Sequence, residues 1–408
     1  MEKRIFDVAI VGAGPTGATL AVALARAGLD VAVVDARDPK AKARKDGRNF
    51  AIVTGSWHLL QSVDVTQALS EASQPLHGLE AIDGGTHWFG TPSVLFTEAD
   101  LDSADPDETL GHMVPAEPLQ AALDQAMADQ TDLTHFAPAL FEGLGQSPGF
   151  VSLQLKGGDE IKARLVIGAD GMNSPVRGAL NIPVEGRDYG KSVFTANVKL
   201  AEPHEGIARQ LFTPEGPFAT LPLRGQRANL AWYMKRGAAE ALAAMPVDQI
   251  EAELNTRFAD FAGTMEIEGK AGSYPLILQL ATALTGPRAA LVGDAARRVN
   301  PLAGQGLNQG FRDVAALIET LSDAVHAGLD VGSAPILERY SEARRFDGTA
   351  TALAFDGIDR LFSNDSTLTK PLRTLGLLAA SKIGPLRRMM AKKASATEDG
   401  VPSPMKTW

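Results

Sequence analysis

The residues best suited to chemistry sit near the start of the chain. Gly12, Gly14 and Gly17 follow the run IFDVAIV in the spacing G-x-G-x-x-G. The preceding run, Ile5 to Val11, is short, apolar and β-branched, which predicts a strand. The segment after the glycines keeps a helical period to Arg26, and Gly28 stops it. Val31 to Val34 predicts a second strand, closed by Asp35, 18 residues after Gly17. Gly12 permits a tight turn, Gly14 lets a pyrophosphate approach the backbone, and Gly17 lets helix and strand pack closely. Pro15 and Thr16 belong to the same turn. The helix N-terminus aims free N–H groups and its positive dipole end at phosphates, and Asp35 can accept hydrogen bonds from a ribose. A glycine triplet alone fits any βαβ turn. Strand, helix, second strand and terminal acid together predict a dinucleotide site.

Two further motifs refine this. Asp170-Gly171-Met172-Asn173-Ser174-Pro175-Val176-Arg177 follows a predicted strand, although alone it could be a turn with a helix cap. The second, GDAARRVNPLAGQGLNQGFRD, runs from Gly293 to Asp313. Asp294 there follows a buried strand, where a carboxylate can bind a polyol hydroxyl, and Pro301 stiffens the loop. Gly304, Gln305, Gly306, Leu307 and Asn308 open a helix whose N-terminus would stabilise negative charge, such as that on a reduced isoalloxazine ring.

The elements that must position these motifs follow from pattern. Asn49 to Leu69 reads as helical, Leu79 to Phe96 as two short strands, and Pro115 as the start of a helix with Leu119, Leu123 and Met127 on one side. Phe150 to Leu155 and Glu160 to Ile167 read as a hairpin. From Ser192 to Met234 several strands follow without helices between them, which predicts an antiparallel sheet. Helices are expected over Val247 to Phe261, Gly304 to Leu321 and much of Ala334 to Phe362. The fold class is therefore α/β. A discontinuous Rossmann-like nucleotide domain (1–75, 101–182 and 282–362) is interrupted by a mostly antiparallel substrate domain (76–100 and 183–281), with a helical extension over 363–408. The net charge of −10 argues against nucleic acid as a partner. Cys is absent, excluding disulfides and thiolate nucleophiles and fitting a reducing, cytoplasmic location. Asp7 and the glycine turn argue against a signal peptide, and no apolar run is long enough to span a bilayer. The seven His, at 58, 77, 87, 112, 135, 204 and 326, show no metal spacing, so no metal is expected.

Together the three motifs resemble the FAD-dependent aromatic hydroxylases, the single-component flavoprotein monooxygenases. Within them, GDAA…NPLAGQGLNQGFRDV, FTPEGPFATLPL (Phe212 to Leu223) and Leu230-Ala231-Trp232 resemble the ubiquinone-biosynthesis hydroxylases. The resemblance covers Ile5 to about Met390. It implies that Gly12, Gly14 and Gly17 hold the FAD pyrophosphate, Asp35 the ribose, and Asp294, with Gly293 beside it, the ribityl chain. Arg48 would contact FAD, Asp170 would belong to a motif shared between FAD and pyridine nucleotide, and Pro301 to Asn308 would flank the isoalloxazine. The substrate would meet the flavin near Phe212, Pro222 and Trp232. No catalytic side chain is required: by resemblance, NAD(P)H or another donor reduces the flavin. Oxygen then gives a C4a-hydroperoxide that hydroxylates a (poly)prenylated phenol. The chain departs from the family in carrying Arg297 after G-D-A-A and Asn300 before the proline, where His is usual. Pro115, Ala116 and Glu117 stand where Glu, Asn and Arg are usual.

Lys370 to Lys393 carries seven basic residues and no acidic one, interleaved with leucines, Ile383, Met389 and Met390. This suits a helix packed on the body with a solvated basic face. It equally suits peripheral attachment to the inner face of a membrane or to a ubiquinone-biosynthesis complex. Rival functions are hydroxylation of another aromatic substrate, flavin-dependent reduction of a prenyl chain, and a non-catalytic flavoprotein scaffold. No W-x-W-x-I-P segment points to a halogenase.

Overall fold

The computed structural model describes residues 4–41, 47–84, 92–299, 305–345 and 381–406. Three sheets organise them. In the first, β1 (Ile5–Val11) lies between β2 (Val31–Val34) and the strand Glu160–Gly168, parallel to both. The parallel run continues to Leu133–Phe136 on one side and to Ala289–Leu291 on the other. Val8, Ala9 and Ile10, like all of β2, are buried, as expected for strands covered on both faces. The helix α1 (Pro15–Arg26) covers one face, burying Leu20 and Leu24 completely; each such leucine stabilises by about 1.5–3 kcal/mol. Phe150–Leu155 pairs antiparallel with Glu160–Gly168, the expected hairpin, and Phe141–Ser147 extends it.

The second sheet also has eight strands, ordered Arg297–Arg298, Met265–Ala281, Val184–Leu200, Arg227–Lys235, Gly216–Leu223, Ile207–Thr213, Gly78–Asp83 and Ser93–Thr97. Its pairings are antiparallel except that of Ile207–Thr213 with Gly78–Asp83. One face is buried under the helices Arg236–Ala243 and Val247–Ala262, where Phe218, Trp232 and Phe258 pack together.

Some local expectations are corrected. Asn49 to Leu69 is not one helix: β3 (Asn49–Val53) pairs antiparallel with Gly111–Pro115, and α2 (Thr54–Ser62) begins only afterwards. Asn308, on the helix Gln305–His326, decides this. Its Oδ1 accepts from the Val53 amide (3.1 Å) and its Nδ2 donates to the Ala51 carbonyl (2.7 Å), so the segment is held extended by a residue far along the chain. Pro115 ends a strand and caps the helix Ala116–Ala128 rather than opening it. The strand Met265–Ala281 and the helix Arg236–Ala243 were not anticipated. The helix expected from Ala334 is present over 334–345, and its continuation lies outside the described residues.

The C-terminal segment returns to the body. The helix Gly384–Ser395 buries Ala391 and Ser395, and Arg387 pairs with Asp100 at 2.7 Å. Arg312 pairs with Glu398 at 2.9 Å. Beyond it, the His58 ring, 7% exposed, sits between two acceptors: its Nε2 lies 2.6 Å from a Glu108 carboxylate oxygen and its Nδ1 3.1 Å from the Met405 carbonyl. Burial alone would push the His58 pKa down. The hydrogen bond to Glu108, the Met405 carbonyl and the Glu108 charge outweigh it, and the value is raised. Burial likewise pushes Glu108 up, but the His58 and Ser103 contacts win and lower it. The His58 contribution is thus complete below its ordinary value and lost as pH rises through its raised one. That of Glu108 is present above its ordinary value and lost as pH falls through its lowered one. Amide exchange of residues 401–406, corrected for intrinsic rates, should be slowest between these limits and accelerate above the His58 value. In His58→Phe the alkaline step should vanish; pH-independent protection in the wild type would contradict the reading.

Candidate functional site

The loops following β1, β2, Glu160–Gly168 and Ala289–Leu291 all leave the same, carboxyl edge of the parallel sheet. In open α/β sheets ligands bind at this edge. The turn after β1 meets the one after Glu160–Gly168 through backbone and the one after Ala289–Leu291 through the Thr16 side chain. Gly12 has φ of +103°, and a Cβ there would collide with the Ala169 carbonyl; one on Gly17 would collide with the Gly12 carbonyl. Only glycine allows this contact between the first turn and the one carrying Asp170. A Cβ on Gly293 would stand 3.2 Å from Thr16, and one on Gly310 would stand 2.9 Å from the Thr16 hydroxyl, so Thr16 joins the first turn to the third. Gly14 faces open space: a Cβ there would meet nothing within 4 Å. The Ala18 amide bonds the Gly14 carbonyl at 2.9 Å. The amides of Thr16 and Gly17 ahead of it have no carbonyl partner within the helix.

Asp35 is tied to the glycine turn. One carboxylate oxygen accepts from the Ala13 amide at 2.5 Å and the other from the Arg37 amide at 2.6 Å. Arg37 makes a two-pronged pair with Asp124 (2.9 and 2.6 Å), and Gln120 donates to both the Ala13 carbonyl and Asp124. Asp170 accepts from the Val176 amide at 2.9 Å through one oxygen, while its other oxygen is buried with no hydrogen-bond partner. Burial raises its pKa, against the Ser174 and Val176 hydrogen bonds and the Arg177 charge. Arg177 is buried and spans two turns, donating to the Ala295 carbonyl (2.9 Å) and the Met172 carbonyl (2.8 Å). The Asp294 side chain is exposed, though desolvation by the surrounding protein raises its pKa and Arg298 opposes the rise.

Arg297, at the position where the resemblance leads one to expect His, lies inside rather than in the groove. It is 3.0 Å from Asp313, which also pairs with Arg344 at 2.8 Å and accepts from the Gly293 amide at 3.1 Å. The two guanidinium groups and the carboxylate are nearly or wholly buried, so the third turn rests on a buried ionic group. Of the remaining expected residues, Gly306 is open and Leu307 packs partly against the core. Asn308 has its side chain turned to β3. Only the backbone of Gln305 is described, and Asn300, Pro301 and Gly304 lie outside the described residues. Arg48 is exposed at the entrance to β3, its carbonyl accepting from the Ala116 amide at 3.0 Å.

Strand alternation separates the substrate-side candidates. Trp232 packs edge-to-face on Phe258, and Pro222, opposite the buried Ala228, shares its face; both lie beneath the helices. Phe212 alternates with Leu211, which packs into that helical layer, and so faces the other way. Gln120 escaped the sequence reading, and Arg177 and Asp313 entered it only as the last residues of two motifs, because their roles depend on contacts between distant segments.

Residues 6–352 match the model of the FAD binding domain family. The chain is 37% identical over 403 residues to ubiquinone hydroxylase UbiL of Rhodospirillum rubrum, covering 98% of this chain and 92% of the relative. It is 36% identical over 398 residues to 3-demethoxyubiquinol 3-hydroxylase of Escherichia coli, covering 97% and 99%. Among solved structures, p-nitrophenol 4-monooxygenase PnpA from Pseudomonas putida superposes with a TM-score of 0.77 over 98% of this chain and 100% of that one, at 16% identity. Fold and family together thus define an FAD-binding flavoprotein. More particularly, the chain belongs to the FAD binding domain family and is an FAD-dependent monooxygenase.

The partnerless Asp170 oxygen, the open Gly14 and the exposed Asp294 carboxylate fit FAD. Replacing Asp294 by Ala should leave the fold intact, because the side chain is exposed, but the purified protein should lose most of its flavin absorbance. An unchanged flavin-to-protein ratio would remove that carboxylate from the site.

Proposed function

We propose that the protein hydroxylates the aromatic ring of a lipophilic, (poly)prenylated phenol in ubiquinone biosynthesis, using FAD, oxygen and NAD(P)H or another reductant. The observation that carries this reading is the meeting of three turns, bearing Gly14, Asp170 and Asp294, at one sheet edge. The names of the two curated relatives add the substrate class. The turn from Gly12 to Gly17, with the α1 N-terminus, would hold the pyrophosphate, and Asp35 the ribose. Asp294 would hold the ribityl hydroxyls, and Asp170 would add an acceptor from the neighbouring turn. When bound, FAD supplies electron transfer from the reductant and activation of oxygen for insertion into the ring. The first turn of Gln305–His326 would face the flavin with its dipole's positive end, which favours negative charge on the reduced cofactor. The second sheet would form the opposite wall, holding the ring and excluding water.

We further propose that the protein meets its substrate at an anionic membrane surface. Among the described residues no helix is long and apolar enough to cross a membrane. The outer face of Gly384–Ser395 instead exposes Met389 and Met390 beside Arg388 and Lys393, with Ile383 exposed just ahead of it. Membrane surfaces are held by apolar residues together with basic ones. The test is reductant and oxygen consumption by the yellow protein with 2-prenylphenol, free or in anionic vesicles. Consumption should require the phenol, with one oxygen atom in the product by mass spectrometry, and should rise with anionic but not neutral vesicles. A flavin-loaded protein that leaves every phenol unchanged would overturn the hydroxylase reading; equal rates with both vesicle types would overturn the membrane reading.

A further inference from the structure

The face of the second sheet turned away from its helices carries a set of polar side chains that neither the fold nor FAD accounts for. On Val184–Leu200 and Arg227–Lys235, Phe194, Ala196, Val198, Leu230 and Trp232 are buried beneath the helices. Their alternates Thr195, Asn197, Asn229 and Ala231 are only half-buried, on a surface that faces the Gly47–Asn49 segment leading into β3. Asn197 and Asn229 are directly opposite each other in the antiparallel register.

The hydrogen bonds determine which way each amide points. Asn197 Nδ2 donates to the Gly47 carbonyl at 3.3 Å, so its Oδ1 is turned the other way. That oxygen accepts from Asn49 Nδ2 at 3.0 Å and from Asn229 Nδ2 at 2.8 Å. Both donors are corroborated: Asn49 Nδ2 also donates to the Gly47 carbonyl (3.0 Å), and Asn229 Nδ2 to the Thr195 hydroxyl oxygen (3.2 Å). With their NH2 groups committed, Asn49 and Asn229 must turn their Oδ1 atoms outward. Among the described residues neither oxygen accepts a hydrogen bond. A carbonyl backbone group on the nucleotide-binding side thus sets, through Asn197, two neutral acceptors beside the loop that bears Arg48.

A neutral, fixed acceptor selects a ligand that brings a hydrogen-bond donor, and disfavours an anion. We propose that Asn229, oriented by Asn197 and seconded by Asn49, is a specificity-determining residue that accepts the ring-hydroxyl hydrogen of the phenolic substrate. This rests on the hydroxylase reading above and deepens it: the substrate is bound as the neutral phenol, with its hydroxyl toward β3. A ring bound by its hydroxyl keeps that oxygen's electron donation, which attack by electrophilic oxygen requires.

The test uses the FAD-loaded protein and two probes, 2-prenylphenol and its O-methyl ether, titrated by the perturbation of flavin absorbance, with turnover measured in parallel. The wild type should bind the phenol roughly tenfold more tightly than the ether, the scale of one neutral hydrogen bond. In Asn229→Leu, and in the smaller Asn229→Ala, that preference should collapse through weaker phenol binding. Ether binding and flavin content should be unchanged, because the side chain is half-exposed and its contacts are hydrogen bonds to Thr195, Asn197 and the Ala196 carbonyl. Equal weakening of both probes would assign the amides to holding the two sheets together and overturn the proposal, as would a preference that survives in both variants. If the wild type oxidises phenols but does not distinguish phenol from ether, this inference fails and the hydroxylase reading stands. If it neither binds nor oxidises any phenol, both fail.

Discussion

The structure depends on contact between backbones at the carboxyl edge of the parallel sheet. Gly12 lies against the Ala169 carbonyl, Gly17 against the Gly12 carbonyl, and Thr16 against Gly293 and Gly310. At Gly12 and Gly17 a methyl group would take space already filled by main chain, and at Gly293 and Gly310 it would press on the Thr16 side chain. Close packing of main chain leaves little room to relax, so a Cβ on Gly12 would force the first two turns apart. The three turns are therefore placed relative to one another by exclusion, and Arg177 ties the second to the third through two carbonyls. What remains open, at Gly14 and beside Asp294, is open because everything around it is held.

That exclusion explains why the first turn could be read directly and much else could not. Strand, glycines, helix and Asp35 are neighbours in sequence, and their interactions are local enough to leave a spacing behind. The turns carrying Asp170 and Asp294 were readable for the same reason, each coming shortly after a buried strand. β3 was misread because Asn49 to Val53 has no strong period of its own, and a side chain 255 residues away from Val53 holds it extended. Arg297 looked like a change at the flavin. It is a change in the interior, compensated by Asp313, and no local pattern reveals a partner contributed by a helix. Trp232 illustrates a third limit: the motif containing it was recognisable, but which face of the strand it occupied depended on where two helices settled.

A pairing of charges inside the protein is costly unless well compensated, and Arg297 and Arg344 share the Asp313 carboxylate. Asp313 serves both guanidinium groups and the Gly293 amide, with Gln309 accepting from Arg344 at 3.2 Å. This ionic group lies behind the turn that carries Asp294, and burial there shields it from salt. The same carboxylate thereby joins the packing of the long helix to the electrostatics of the proposed flavin site. The second sheet contributes differently. Its buried face is ordinary aromatic packing, whereas its other face offers polar groups whose orientation is imposed from the nucleotide-binding side.

The central claim is that three segments far apart in sequence close around one flavin. Hydrogen exchange measured by mass spectrometry on the FAD-loaded and flavin-stripped protein tests it most directly. The account predicts that FAD slows exchange together in residues 12–18, 170–176 and 293–296, with little change in the helices covering the second sheet. Protection confined to the first of these segments, with the other two indifferent to flavin, would contradict it.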